Sequence, residues 1–233
     1  MVLRLVSKLG VPLRERNTLL VAAGFAPMYN ESRLEAPALG AARKTIELIL
    51  KGHEPFPALA IDRHWNMVAA NRMVPHLLAG MDASLIQAPV NVLRLTLHPL
   101  GLARRIVNFA QWRSHLFERL QQQIAVTADP QLISLLTELK SLPAPVSAQE
   151  DNLQGEHAGF AVPLQVRSRS GVLSFISTTT VFGSPVDITL QELALETFFP
   201  LDDFTMQALL SRAELELDAR SRDRPEGSLQ AQT

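Results

Sequence analysis

Six histidines, at positions 53, 64, 76, 98, 115 and 157, are the side chains whose ordinary pKa lies nearest neutrality in a chain without cysteine. Their spacing makes a poor metal site. No HExxH pair is present, and no histidine stands among carboxylates at the intervals that zinc ligands use. His115 and Glu118, about one helical turn apart, would make half of a site, and a solvated helix face is the simpler reading of the pair. The chain also lacks a Gly-x-Ser-x-Gly elbow, a Gly-rich phosphate loop and a dinucleotide fingerprint. Neither an enzyme nor a bound cofactor is therefore expected. A hydrolase or lyase would need at least two perturbed titratable groups in contact within a concave site.

Other residues are out of place for a plain core. Arg94 stands inside Val92-Leu93-Arg94-Leu95-Thr96-Leu97, where an unpaired guanidinium is expensive to bury, so it must reach water, a carboxylate or an anionic ligand. With Asn91 it would fix a carboxylate by charge-assisted hydrogen bonds, leaving an acyl tail to an apolar tunnel. Trp65 lies in the polar stretch Asp62-Arg63-His64-Trp65 and is large enough either to lid a cavity or to cover a sheet edge. Asn71, at a strand-to-helix junction, either caps the helix or meets a ligand. Phe109, Trp112, Phe160, Phe175 and Phe198 are candidates for the lining of such a tunnel, and each also suits ordinary core.

The elements that must position these residues follow from the hydrophobic period. Two short apolar runs, 58–61 and 66–69, read as strands joined by a hairpin turn whose Trp65 folds back onto the sheet. After Asn71 the spacing turns helical through Met73, Leu77 and Leu78 until Gly80. Upstream, 2–9 makes a short helix, and Pro12 opens a second one with an apolar face of Leu13, Leu19, Leu20, Ala23 and Phe25, stopped by Gly24. A linker over 29–37 leads to a helix from Ala38 to Lys51, with Ile46, Leu48, Ile49 and Leu50 turned inward. Downstream come a loop at 81–89, a helix from Val90 to His98, and the longest helix, from Gly101 to about Thr127. Asp129-Pro130 starts another, with Leu132, Leu135, Leu136 and Leu139 inside, and 141–156 reads as a mobile loop.

From Phe160 the period is two. Pro163 places this strand at an edge or an irregularity. Strands from Val172 to Phe182 and from Glu192 to Phe199 bring the total to five, all antiparallel. Asp202 or Asp203 caps a closing helix with Met206, Leu209, Leu210, Ala213 and Leu217 on one face, and 218–233 reads as a disordered tail. The expected fold class is α+β: a PAS-like five-stranded antiparallel sheet covered by helices, with room for a small ligand beneath them.

Composition bounds the partners. The chain has 233 residues, 47% of them hydrophobic, a length that suits one main domain with appendages. A formal net charge of −1 provides no basic field for nucleic acid, so any DNA contact needs an additional part. The absence of cysteine excludes disulfides and fits a reducing compartment, and no signal peptide or spanning stretch is apparent near the start. A cytoplasmic protein without membrane contact is expected.

The segments Gly52-His53-Glu54-Pro55, Pro57-Ala58-Leu59, Asp62-Arg63-His64-Trp65-Asn66, Val68-Ala69-Ala70-Asn71 and Asn91-Val92-Leu93-Arg94-Leu95 closely resemble the MmyB-like ligand-binding domain. That domain follows a helix-turn-helix domain in bacterial Xre-type transcription regulators. The resemblance runs from about Leu9 to Leu210. It implies three parts: a C-terminal remnant of a helix-turn-helix domain at 1–28, the ligand-binding domain at 37–217 and the tail at 218–233. It also implies a small hydrophobic or fatty-acid-like ligand, a homodimer, and DNA binding only through a recognition helix upstream of this chain. The alternative is a PAS-like module that dimerises without a ligand.

Overall fold

Packing on both faces of the short run Ala58-Leu59-Ala60-Ile61 is the clue to how the sheet is covered. This run is β1 (Ala58–Ile61). Ala58 and Ala60 pack on one side against Ile46, Leu50, Leu193 and Leu195, while Ile61 joins the main core on the other. Side chains alternate across a strand, so one four-residue segment serves both layers. The computed structural model describes residues 2–145 and 161–222.

Five antiparallel strands form one curled sheet in the order β2–β1–β5–β4–β3, with β2 (Met67–Ala70), β3 (Leu164–Ser168), β4 (Gly171–Val181) and β5 (Ala194–Pro200). This is the α+β, PAS-like arrangement expected from the sequence, and β3 does lie at an edge, as Pro163 required. Both edges are shielded by irregular backbone: Met67 donates to Val90 O at 2.8 Å beside β2, and Val107 donates to Gln165 O at 2.9 Å beside β3. Short covered edges leave little template for pairing with another chain.

Among the described residues the helices are α1 (Val2–Lys8), α2 (Leu13–Ala22), α3 (Gly40–Gly52), α4 (Val74–Leu78), α5 (Val92–Leu97), α6 (Phe109–Thr127), α7 (Pro130–Ser141), α8 (Ile188–Gln191) and α9 (Asp203–Arg222). Three 3-10 turns lie at Pro37–Leu39, Ala83–Ile86 and Ala103–Arg105. The main core lies between one sheet face and α5, α6 and α7, through Leu93, Leu97, Trp112, Leu116, Leu120 and Leu132. A smaller core under α3 holds the other face at its β1 end.

Several boundaries and faces differ from the periodic reading. The long helix begins at Phe109 rather than Gly101. Leu102 donates to Leu95 O at 2.9 Å and Asn108 Nδ2 to Pro163 O at 2.7 Å, so 101–108 is committed to the end of α5 and the start of β3. Leu48 is 70% and Ile49 40% exposed, leaving Ile46 and Leu50 as the inward pair of α3. Leu19 and Phe25 on the α2 side, and Met206 and Leu210 on α9, are likewise exposed. Asp202 caps α9, accepting from Thr205 N at 2.7 Å, and the helix continues to Arg222, beyond the boundary read at 217. β5 begins at Ala194, two residues after the start read at Glu192, because Glu192 ends the short helix α8, which Asp187 caps through Thr189 N at 2.9 Å. Phe160, most of the 141–156 loop and residues 223–233 lie outside the described residues.

Candidate functional site

The hairpin turn between β1 and β2 is built by Asp62, whose Oδ1 accepts from His64 N and Asn66 N, each at 2.8 Å. That closure holds Trp65 at φ 66°, a left-handed backbone costly for a bulky residue, and carries its indole inward until 6% of the residue is exposed. Trp65 Nε1 donates to Gln123 Oε1 of α6 at 2.8 Å, and Gln123 Nε2 donates to Arg63 O at 2.7 Å. The turn is thereby tied to the helix that roofs the sheet.

Beneath α6 lies an apolar chamber of about 80 Å³. Its roof is Trp112, Leu116 and Arg119 of α6, and its floor includes Leu59, Leu164, Glu196 and Phe198 from the sheet. Val74, Leu77 and Leu78 of α4 close one side, and Val92, Leu93 and Leu95 of α5 another. Trp65 stands in the wall. α4 is five residues long and ends before Gly80 at φ 81°, which makes it the shortest helix in the chamber wall.

A charged pair marks one end. Arg119 Nη2 meets Glu196 Oε1 at 2.6 Å, Thr179 Oγ1 donates to the same oxygen at 2.9 Å, and the guanidinium sits 4.8 Å from the Trp65 ring centroid. The Glu196 side chain is 7% exposed, so its charge is sustained by these partners. Burial, with Arg119 adding to it, lowers the pKa of nearby His115 and favours the neutral imidazole. Trp112 Nε1 is buried with no hydrogen-bond partner.

The residues singled out from sequence fall into distinct places. Trp65 and Trp112 meet in the chamber wall, with Phe198 beside them. Phe109 and Phe175 are buried in the same core but do not line the chamber. Asn71 is fully engaged by backbone: its Oδ1 accepts from Ala58 N and Met73 N, and its Nδ2 donates to Leu50 O and Phe56 O. Asn91 caps α5 through Leu93 N and Arg94 N and donates to His64 O at 2.8 Å. Arg94 forms a two-pronged bond with Glu138 of α7, both contacts at 2.7 Å, with both side chains nearly half exposed. It does not reach the chamber.

Arg119 and Glu196, absent from the candidate set, are the charged residues that do reach it. A signal for them existed: Glu196 is the only charge in the strand Ala-Leu-Glu-Thr-Phe-Phe-Pro, and Arg119 continues the inward i, i+4, i+7 stripe of Trp112 and Leu116.

A second, broader groove of about 590 Å³ opens between α2 and the α6–α7 corner, with Arg14, Glu15, Arg63, Asp129 and Glu192 in its wall. Here the N-terminal helices meet the rest of the chain. Arg14 Nε binds Glu192 Oε1 at 2.6 Å and the guanidinium also grips Glu31; Arg63 reaches Glu192 at 3.6 Å and Asp129 at 3.0 Å; His64 Nε2 lies 3.0 Å from Asp129 Oδ2. Arg63 and His64 immediately precede Trp65, so one turn joins the chamber wall to the surface that carries α2.

Among the described residues, no group of three or more His, Asp or Glu could hold a metal ion, and no helix is long and apolar enough to cross a membrane. The family model for the MmyB-like transcription regulator ligand binding domain matches residues 42–211. No curated protein matches the chain.

Proposed function

Since the chain belongs to the MmyB-like transcription regulator ligand binding domain family, a non-enzymatic one, we propose that its chamber binds a small hydrophobic or fatty-acid-like molecule and couples occupancy to an attached DNA-binding domain. The observation that carries this reading is the chamber beneath α6, apolar on nearly every side, with the indoles of Trp65 and Trp112 among its lining. Trp65, Trp112 and Phe198 would hold the ligand, with Arg119 at its polar end. Phe160 stays in the proposal as a lining residue on its sequence alone, and Phe109 and Phe175 support the wall from behind. Asn71 and Asn91 brace the hairpin and α5 around it.

The chamber is smaller than the roughly 300–1,000 Å³ of drug-sized sites, so a ligand longer than a few carbons must displace a wall, and α4, the shortest helix there, is the wall expected to move. Displacement of Trp65 would be felt at Arg63 and, through Glu192, at Arg14 of α2. In this reading α1 and α2, within 1–28, belong to a helix-turn-helix domain, the protein acts in the cytoplasm as a homodimer, and 37–217 is the sensor. A ligand can shift such a coupled equilibrium only as far as its affinities for the two arrangements differ.

Mass spectrometry of solvent extracts from purified protein, followed by melting curves of the stripped protein with a lipid panel, tests the reading. A co-purifying apolar molecule and a raised Tm on adding it back are expected. An empty extract and no shift with any lipid would favour the alternative, a PAS-like dimerisation module, to which the small size of the chamber also points.

A further inference from the structure

Strand register orders the floor of the chamber in rows. In the first row Thr179 pairs with Glu196, and Arg119 of α6 donates to both. In the next, Ser177 pairs with Phe198, whose N–H donates to Pro57 O at 3.0 Å. Beyond that row lies α4. It follows the junction where Asn71 N donates to Ala58 O, and it ends where Arg105 ties Leu77 O to Arg167 O, so it crosses the end of the sheet remote from Glu196. Its Val74, Leu77 and Leu78 make that end of the chamber apolar. The chamber thus runs from an ion pair to a hydrocarbon wall, with Ser177 between them.

Most polar side chains of the lining are already committed. Arg119 and Glu196 hold each other, Trp65 Nε1 donates to Gln123, Thr96 Oγ1 donates to Val92 O at 2.6 Å, and Trp112 Nε1 is sealed away even from water. Ser177 differs. Its hydroxyl has no hydrogen-bond partner among the described residues, yet its oxygen stays accessible, and the residue is half-buried where Phe175, two positions earlier on the same face, is wholly buried. A serine on a strand presents only its Cβ and Oγ to the space in front of it, here the chamber. A plain core would fill such a position with an apolar side chain. Serine leaves room instead, together with a group that both donates and accepts.

We propose that Ser177 is the hydrogen-bond partner of the ligand's polar end: the chamber takes an amphiphile whose terminal hydroxyl or carbonyl oxygen meets Ser177 Oγ and whose hydrocarbon chain extends toward α4. This rests on the reading of the chamber as a ligand site, and it adds to that reading the contact and the direction in which the chain lies.

The experiment titrates the stripped full chain with 1-hexanol and with hexane, followed by NMR, with Ser177→Ala beside the parent. Because the hydroxyl has no protein partner to lose, Ser177→Ala is expected to keep the parent's Tm. It should weaken 1-hexanol by roughly three- to tenfold, the worth of one hydrogen bond, and leave hexane within about twofold. In the parent, intermolecular NOEs should join the carbinol protons of 1-hexanol to Phe198 and its terminal methyl to Leu77 or Leu78. Should the variant fail to fold, that pattern in the parent decides. Undiminished 1-hexanol affinity in Ser177→Ala, or an equal loss for hexane, would overturn Ser177 as the contact while leaving the chamber as a site. A terminal methyl found beside Arg119 instead of α4 would overturn the direction of the chain. No binding of either probe would overturn both the contact and the chamber.

Discussion

Arg94 illustrates how a single residue is decided by its neighbours. A guanidinium inside an apolar helix needs a partner, and Glu138, on a helix 44 residues further along the chain, provides two bonds at 2.7 Å. Each raises or lowers the other in the usual sense: the bond from Glu138 raises the pKa of Arg94, and the bond from Arg94 lowers that of Glu138. Both side chains remain nearly half exposed, so solvent screens the pair. Arg94→Ala is therefore expected to cost no more than about 1 kcal/mol in urea denaturation. It should also leave the amount of co-purifying apolar molecule unchanged. Loss of that molecule in the folded variant would return the anchoring role to Arg94 and take it from the Arg119 end of the chamber. Trp65 is the converse case: its strained backbone is sustained by Asp62 and its indole by Gln123, so its position is set by the turn as a whole.

At the scale of elements, the segment between α5 and α6 does the positioning. Gly101 donates to His98 O at 2.8 Å, and a Cβ there would stand 2.1 Å from Leu95 O, a backbone atom that cannot yield as a side chain can. The close approach folds 101–108 back over α5, which in turn sets where α6 crosses the sheet. Arg105 secures the same corner by donating to Leu77 O at 2.7 Å and Arg167 O at 3.0 Å, joining the end of α4 to β3. Gly101→Ala is expected to destabilise the fold by about 1–3 kcal/mol, as overpacking does. It should also displace α6. Urea midpoints at unchanged slope would measure the loss, and a drop in Trp fluorescence energy transfer or a shifted emission maximum would report the moved indoles of Trp65 and Trp112. A variant as stable as the parent would mean that this corner has slack.

Over the whole molecule, ion pairs join parts that share little apolar surface. α2 contributes Leu13 and Leu20 to the interior, but most of its attachment is polar, through Arg14, Glu31 and Glu192. The bond from Arg14 is the main reason Glu31 titrates below its ordinary value. Asp129 is also depressed: burial alone would raise it, and the bonds from His64 and Gln131 N, with Arg63 nearby, outweigh that. Carboxyls with depressed folded values stabilise fully above their unfolded values and lose that contribution as pH falls through the folded ones. The window therefore lies below about pH 4. Hydrogen exchange across pH 7 to 3 should show α2 amides losing protection before those of β4 and β5. Simultaneous loss in both would mean that the helices and the sheet unfold as one unit.

How much was legible in the sequence varied with the range of the interactions involved. Periods of two and of three to four residues located four of the five strands nearly whole, the cap at Asp129, and the edge role of the strand after Pro163, because alternation, capping and the missing proline donor act over a few residues. The same patterns placed Leu48 and Ile49 inside, since a helix face tells which side is apolar but not how wide a strip its neighbour covers. The family resemblance located the domain, Trp65 as a wall residue came from its size, and Trp112 was one of five aromatic candidates for the lining. What only the tertiary structure decided was pairing at long range: Glu138 for Arg94, Glu196 for Arg119, and nothing for the Trp112 N–H. A buried charge or donor announces in the sequence that it needs a partner, whereas the identity of that partner depends on which strands and helices come within 3 Å, and no local pattern encodes that distance.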